Sequence, residues 1–152
     1  MSSCFFIGHR DAPGSLLPLV KAAVEDLILQ EGVNDFYVGS RGNFDRLAAT
    51  AVRELGEIYP HIRLYRVLAY LPTGRAELPE GFTGSVYPEG LESVPRRFAI
   101  LRANRAMVAA CQYLLAYAPH ETGNARKVAE YAKQKGRRVI EVRDMKDAQA
   151  SS

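Results

Sequence analysis

Three times in this chain an apolar run of strand length ends in glycine and polar residues, and a helix-like segment follows. The fullest case is Phe36-Tyr37-Val38-Gly39-Ser40-Arg41-Gly42-Asn43-Phe44-Asp45, where a strand runs into a G-x-x-G turn and the turn into an amphipathic helix. Phe5-Phe6-Ile7-Gly8-His9-Arg10 precedes another helix, and Tyr113-Leu114-Leu115-Ala116-Tyr117 precedes Glu121-Thr122-Gly123-Asn124 and a further one. Strands joined by helices require parallel crossovers, which are right-handed. Repeating that unit leads to a parallel sheet covered by helices on both faces.

The remaining periodicity fills in the order. Residues 3–8 form a short all-apolar run of the kind a strand buried on both faces shows. Leu16, Leu17, Leu19, Val20, Ala23, Val24, Leu27 and Ile28 recur at helical spacing before Gly32. Residues 35–39 are the second strand, and Phe44, Leu47, Ala48, Ala51, Val52 and Leu55 give the second helix one apolar stripe that stops by Pro60. Residues 62–71 read as a third strand closed by Pro72. From 72 to 94 prolines and glycines break every pattern, so an irregular loop is expected there, of a length often functional. Pro95 opens a third helix with Phe98, Leu101, Met107 and Val108 as expected core contacts. Residues 113–118, 124–135 and 138–142 read as strand, helix and strand, and 145–152 as a frayed tail. The expected fold is a single three-layer α/β Rossmann-like domain over residues 1–152, with about five mainly parallel strands in the order 3-2-1-4-5.

Bulk properties narrow the function classes. An apolar fraction of 47% beside 24% charged residues excludes disorder, and no apolar run approaches a membrane span. The start Met1-Ser2-Ser3 lacks a basic region, so no signal peptide is expected and the location reads as cytoplasmic. Cys4 and Cys111 make no disulfide framework and are expected as reduced core residues. The three histidines, His9, His61 and His120, are scattered, so no metal site is expected. Arginines outnumber lysines in a chain of net charge +3, which mildly favours anionic ligands. Lys127, Lys133, Lys135, Arg137 and Arg138 form the densest basic run, read as the exposed face and C-terminal end of the last helix.

In a 3-2-1-4-5 sheet the first and fourth strands are neighbours, and ligands bind outside the strand ends at such a reversal. The three glycine-marked ends then surround one crevice. Gly39 and Gly42 are the candidates for phosphate or ribose contact, with Gly8, Ser40, Thr122, Gly123 and Asn124 beside them. Arg10 and Arg41 sit where an anion would be neutralised. Asp45 either accepts a ligand hydroxyl or complements the helix dipole. His9 is either an acid/base group or a hydrogen-bonding lining residue. Arg102 and Arg105, with Asn104 between them, either reach the pocket or the long loop or form surface ion pairs. Glu121 is the only carboxylate of the third turn and the first candidate for chemistry. The strand tyrosines read as core rather than as base-stacking groups.

Three segments together resemble the SLOG superfamily, which takes its name from the Smf/DprA DNA-processing proteins and the LOG phosphoribohydrolases. They are Phe5-Phe6-Ile7-Gly8-His9-Arg10, Gly39-Ser40-Arg41-Gly42-Asn43-Phe44-Asp45 with Ala48, and Arg102-Ala103-Asn104-Arg105-Ala106-Met107-Val108. The likeness is nearest the short, YpsA-like bacterial branch. It implies a Rossmann-like fold and a pocket for nucleotides, nucleotide sugars or related molecules. LOG enzymes carry P-G-G-x-G-T-x-x-E, whereas this chain has Pro119-His120-Glu121-Thr122-Gly123-Asn124-Ala125, with Lys127 where the glutamate would stand. The leading expectation is therefore binding or sensing of a phosphorylated, nucleotide-derived small molecule such as a nucleotide, nucleotide sugar or ADP-ribose-like compound. The alternatives are a nucleotide N-glycosidase or phosphoribohydrolase using Glu121 or His9, and single-stranded nucleic-acid binding. No resident cofactor is read from the chain beyond that ligand, and the apolar third helix offers a patch that a homo-oligomer would bury. Gly42→Val is expected to weaken ligand binding more than folding.

Overall fold

A computed structural model describes residues 2–70 and 78–144 of the 152-residue chain. The strands are β1 (Ser2–Gly8), β2 (Val33–Val38), β3 (Arg63–Val67), β4 (Gly84–Val86), β5 (Tyr113–Tyr117) and β6 (Arg138–Glu141). Between them lie α1 (Leu17–Glu31), α2 (Asn43–Ile58), α3 (Arg96–Ala110) and α4 (Asn124–Gln134). All strand pairs are parallel, in the order β4-β3-β2-β1-β5-β6. This is the Rossmann-like sheet read from the sequence, with six strands instead of five.

The layers follow from alternation within the buried strands. Cys4 and Phe6 of β1 and Leu115 and Tyr117 of β5 join one apolar cluster with Val20, Val24, Ala48, Val52 and Leu55 of α1 and α2. Phe5 of β1 and Leu114 and Ala116 of β5 join the other, with Met107, Val108, Val128 and Ala132 of α3 and α4. Both faces of these strands are buried, which is why their sequences are continuously apolar. Phe6, Phe36 and Phe44 are completely buried, each worth about 1.5–3 kcal/mol of transfer free energy.

Three expectations change. The stretch 72–94 is not irregular throughout: β4 and a 3-10 turn, Leu91–Ser93, lie within it. Gly84-Ser85-Val86 carries no alternation to read, and it becomes a strand only because β3 offers a free edge. Thr83 N–H donates to the Leu64 carbonyl (2.7 Å) and Leu68 N–H to the Val86 carbonyl (2.8 Å), extending the ladder at both ends. The third strand is correspondingly shorter than 62–71. On α3, Phe98 and Leu101 are 46% and 39% exposed, and the buried stripe is Ala99, Ala103, Asn104, Met107 and Val108. Met107 and Val108 join the core cluster against the sheet, and Ala99, Ala103 and Asn104 continue the same buried stripe. The tail 145–152 and residues 71–77 of the loop lie outside the described residues.

Candidate functional site

The chain leaves β1 toward β2 on one side and returns through β5 on the other, so the sheet order reverses between β1 and β5. A cleft of about 680 Å³ opens at their C-terminal ends, within the range usual for small-molecule sites. One aromatic ring ties its walls together. Phe44, in the first turn of α2, stacks on Tyr117 of β5 at 6.1 Å between ring centroids. It also covers Gly8 so closely that a Cβ there would lie 2.2 Å from its ring. Gly42 is equally confined: a Cβ would lie 2.6 Å from the Arg10 Cα, and the Asn43 N–H donates to the Arg10 carbonyl at 2.9 Å. The turns after β1 and β2 are thus packed backbone to backbone.

The amides of the two helix N-termini differ in availability. In the G-x-x-G turn the Arg41 N–H donates to Asp45 Oδ2 at 3.0 Å and the Asn43 N–H is taken by Arg10. Asp45 also places a carboxylate in the first turn of α2. At α4 the N-cap is Gly123, no side chain caps the helix, and the first turn holds no acidic residue. Gly123 adopts φ 107° and ψ 171°, a conformation that needs glycine. Thr122, Gly123, Asn124 and Ala125 line the cleft, so the positive end of the α4 dipole opens onto it.

Other side chains hold this arrangement. Arg126 donates to the carbonyls of Ala118 and, at 3.2 Å, His120, while its Nη1 pairs with Glu141 at 2.7 Å. Its guanidinium therefore clamps the turn after β5. His9 and His120 meet edge to face at 5.0 Å. The Asp11 N–H donates to His9 Nδ1 at 3.1 Å, so neutral His9 carries its proton on Nε2. Cys4 and Cys111 are both buried, and burial pushes the Cys111 thiol up to about 11, so neither is a ready nucleophile.

Burial pushes the Asp45 carboxyl above its ordinary value of 3.8, against the opposing pull of the Arg41 N–H and guanidinium. An acid whose pKa rises on folding favours the folded state at low pH, and that contribution is lost as pH rises through the folded pKa. The unfolding free energy of the wild type minus that of Asp45→Asn is therefore expected to fall from pH 3.8 upward, then level off. Urea titrations across that range measure it. A difference that grows with pH would reverse the sign.

Of the residues singled out in the sequence, Gly8, His9, Arg10, Gly39, Arg41, Gly42, Asp45, Thr122, Gly123 and Asn124 line this cleft. Ser40 lines a smaller adjoining cavity. Glu121 is exposed and does not line the cleft. Arg102 and Arg105 are exposed too, and Arg105 lies over the Tyr131 ring of α4 at 5.1 Å. Their placement follows from the buried stripe of α3, which turns Asn104 inward and its neighbours out. Asn104, Phe5, Ile100 and Arg126 are lining residues the sequence reading did not assign, while His120 belongs to the 119–124 turn that it did bring to the crevice. The signal for Asn104 was a polar residue inside the stripe Ala99, Ala103, Met107.

Among the described residues no helix is long and apolar enough to cross a membrane, and no group of three or more His, Cys, Asp or Glu is placed to hold a metal ion. No protein-family model matches the chain, and no curated protein matches it. Among solved structures, DNA processing protein A (DprA) from Streptococcus pneumoniae is similar with a TM-score of 0.66 and 18% identity, over 95% of this chain and 51% of that one. This chain thus spans about half of that structure, and the likeness is one of fold. A periplasmic ligand-binding protein of a branched-chain amino acid ABC transporter from Burkholderia xenovorans aligns over the whole chain and 64% of its own, at 10% identity. Its TM-score of 0.26 carries no argument.

Proposed function

We propose that the cleft binds a phosphorylated, nucleotide-derived small molecule, with its phosphate at the N-terminus of α4. The observation that carries this reading is the uncapped, acid-free first turn of α4 opening onto a cleft that Arg10 and Arg41 also line. The G-x-x-G turn is the poorer anion site, because its Arg41 and Asn43 amides are engaged and Asp45 adds negative charge. The fold shared with a DNA-processing protein and the SLOG resemblance support a nucleotide-related ligand. Hydrolysis by Glu121 is disfavoured because that carboxylate does not line the cleft, whereas His9, the other group put forward for chemistry, does. Nucleic-acid binding is disfavoured because arginines of the basic run are engaged: Arg137 caps the Val108 and Ala109 carbonyls, and Arg138 pairs with Glu31 at 2.8 Å.

Thermal-shift titration with nucleoside monophosphates, nucleotide sugars, NAD and ADP-ribose tests the reading. A ligand at about 100 times its Kd adds roughly 2.7 kcal/mol of stability. Ala125→Glu places a carboxylate in the first turn of α4, which suits the helix dipole yet repels a phosphate. It is expected to leave the melting temperature of the free protein unchanged or higher and to weaken binding at least about tenfold, near 1.4 kcal/mol. No shift with any phosphorylated compound would sink the proposal. Binding to oligonucleotides that collapses between about 50 and 200 mM salt would replace it.

A further inference from the structure

Resting on that reading, we propose that the cleft continues into a slot for a nucleobase-like planar ring, read by the amide of Asn104. A second cavity of about 110 Å³ adjoins the main cleft, and Phe5, Ile100 and Asn104 wall both. Beyond them the slot is bounded by Val67, Ala103 and Tyr70. Phe5, Val67 and Ala103 are buried in the core, so these walls are fixed and apolar. The Tyr70 ring is held by the guanidinium groups of Arg96 at 4.4 Å and Arg41 at 5.7 Å, while its hydroxyl donates to the Arg96 carbonyl at 3.1 Å.

Asn104 stands where the two cavities meet. It is 8% exposed, and its Nδ2 is buried without a hydrogen-bond partner among the described residues. Native proteins pair nearly all buried donors, so an unpaired amide walling a cavity calls for an acceptor from a ligand. Phe5, Val67, Ile100 and Ala103 give the slot apolar faces that favour a flat ring over a hydrated sugar, while Ser40 and Arg41, which also line it, can meet the ring's polar edge. The two N–H donors of the Asn104 amide select a ring edge bearing a carbonyl or an unprotonated nitrogen. With the phosphate at α4, the bound molecule is a nucleoside 5′-phosphate whose base lies against Asn104 and Tyr70.

The test compares AMP, GMP, CMP and UMP with ribose 5-phosphate by calorimetric titration, on the wild type and Asn104→Leu. At least one monophosphate is expected to bind the wild type tenfold or more tighter than ribose 5-phosphate does. Asn104→Leu is expected to remove that advantage and leave ribose 5-phosphate unchanged, while melting at or above the wild-type temperature because an unpaired donor is gone. Asn104→Ala gives the same comparison if leucine is not accommodated. Equal affinities for ribose 5-phosphate and every nucleotide would overturn the slot but leave the phosphate site standing. So would an equal loss of both ligand types in the variant. Failure of every compound, ribose 5-phosphate included, would overturn this inference together with the reading on which it rests.

Discussion

Truncation of Phe44 to alanine is expected to destabilise the fold by about 3–5 kcal/mol, the range for removing a fully buried phenylalanine. The ring is completely buried, lies on Gly8 and stacks on Tyr117, so the void would open where β1, β5 and α2 meet. Gly8→Ala alone is expected to cost about 1–3 kcal/mol, because its methyl would lie 2.2 Å from the same ring. The two changes should not add. In Phe44→Ala the ring that excluded the methyl is gone, so the double variant is expected to be more stable than the sum by about 1–3 kcal/mol. Urea unfolding of the four proteins measures the coupling, and strict additivity would show that Gly8 is not glycine on account of Phe44.

Gly42→Val is expected to cost about 3 kcal/mol, the upper end for overpacking. Its Cβ would lie 2.6 Å from the Arg10 Cα and 2.8 Å from the Arg10 Cβ, and backbone cannot rotate aside as a side chain can. Relieving the clash also pulls apart the Asn43 N–H and the Arg10 carbonyl. Gly39→Ala is expected to cost only about 1 kcal/mol, because its methyl meets the Asp45 carboxylate at 3.0 Å and breaks at most that group's bond to Arg41. The two glycines look equivalent in the sequence, and the structure separates them. It also revises the expectation that Gly42→Val weakens folding less than binding: stability and ligand affinity are expected to fall together. A Gly42→Val protein as stable as the wild type in urea would refute the packing.

Much of the architecture was legible because its causes are local. Strands buried on both faces must be continuously apolar, as 4–7 and 113–117 are, and their glycine-marked ends set the switch-point cleft. The helices α1, α2 and α4 were bounded by Gly32, Pro60 and Gly136, signals that act within a few residues. The gathering of Gly8–Arg10, Gly39–Asp45 and Thr122–Asn124 around one cleft follows from strand order alone.

What remained hidden depends on groups distant in the chain. The strand β4 has no pattern of its own and exists because the edge of β3 supplies its hydrogen bonds. On α3 apolar residues fall on nearly every side, from Phe98 through Leu101 to Val108, so periodicity could not choose the inward face. Packing buried Ala99, Ala103 and Asn104 with Met107 and Val108, which left Arg102 and Arg105 outward. Availability of an amide is likewise a tertiary property. Only once Arg10 packs on Gly42 and Asp45 folds back to Arg41 does the G-x-x-G turn lose donors, leaving α4 as the open helix end. By itself the sequence determined the layers, the order of the five strands it showed and the place of the cleft, since burial and turn chemistry are written residue by residue. The tertiary structure alone decided which donors and which helix face remain for a ligand, because those depend on what each group has already bonded.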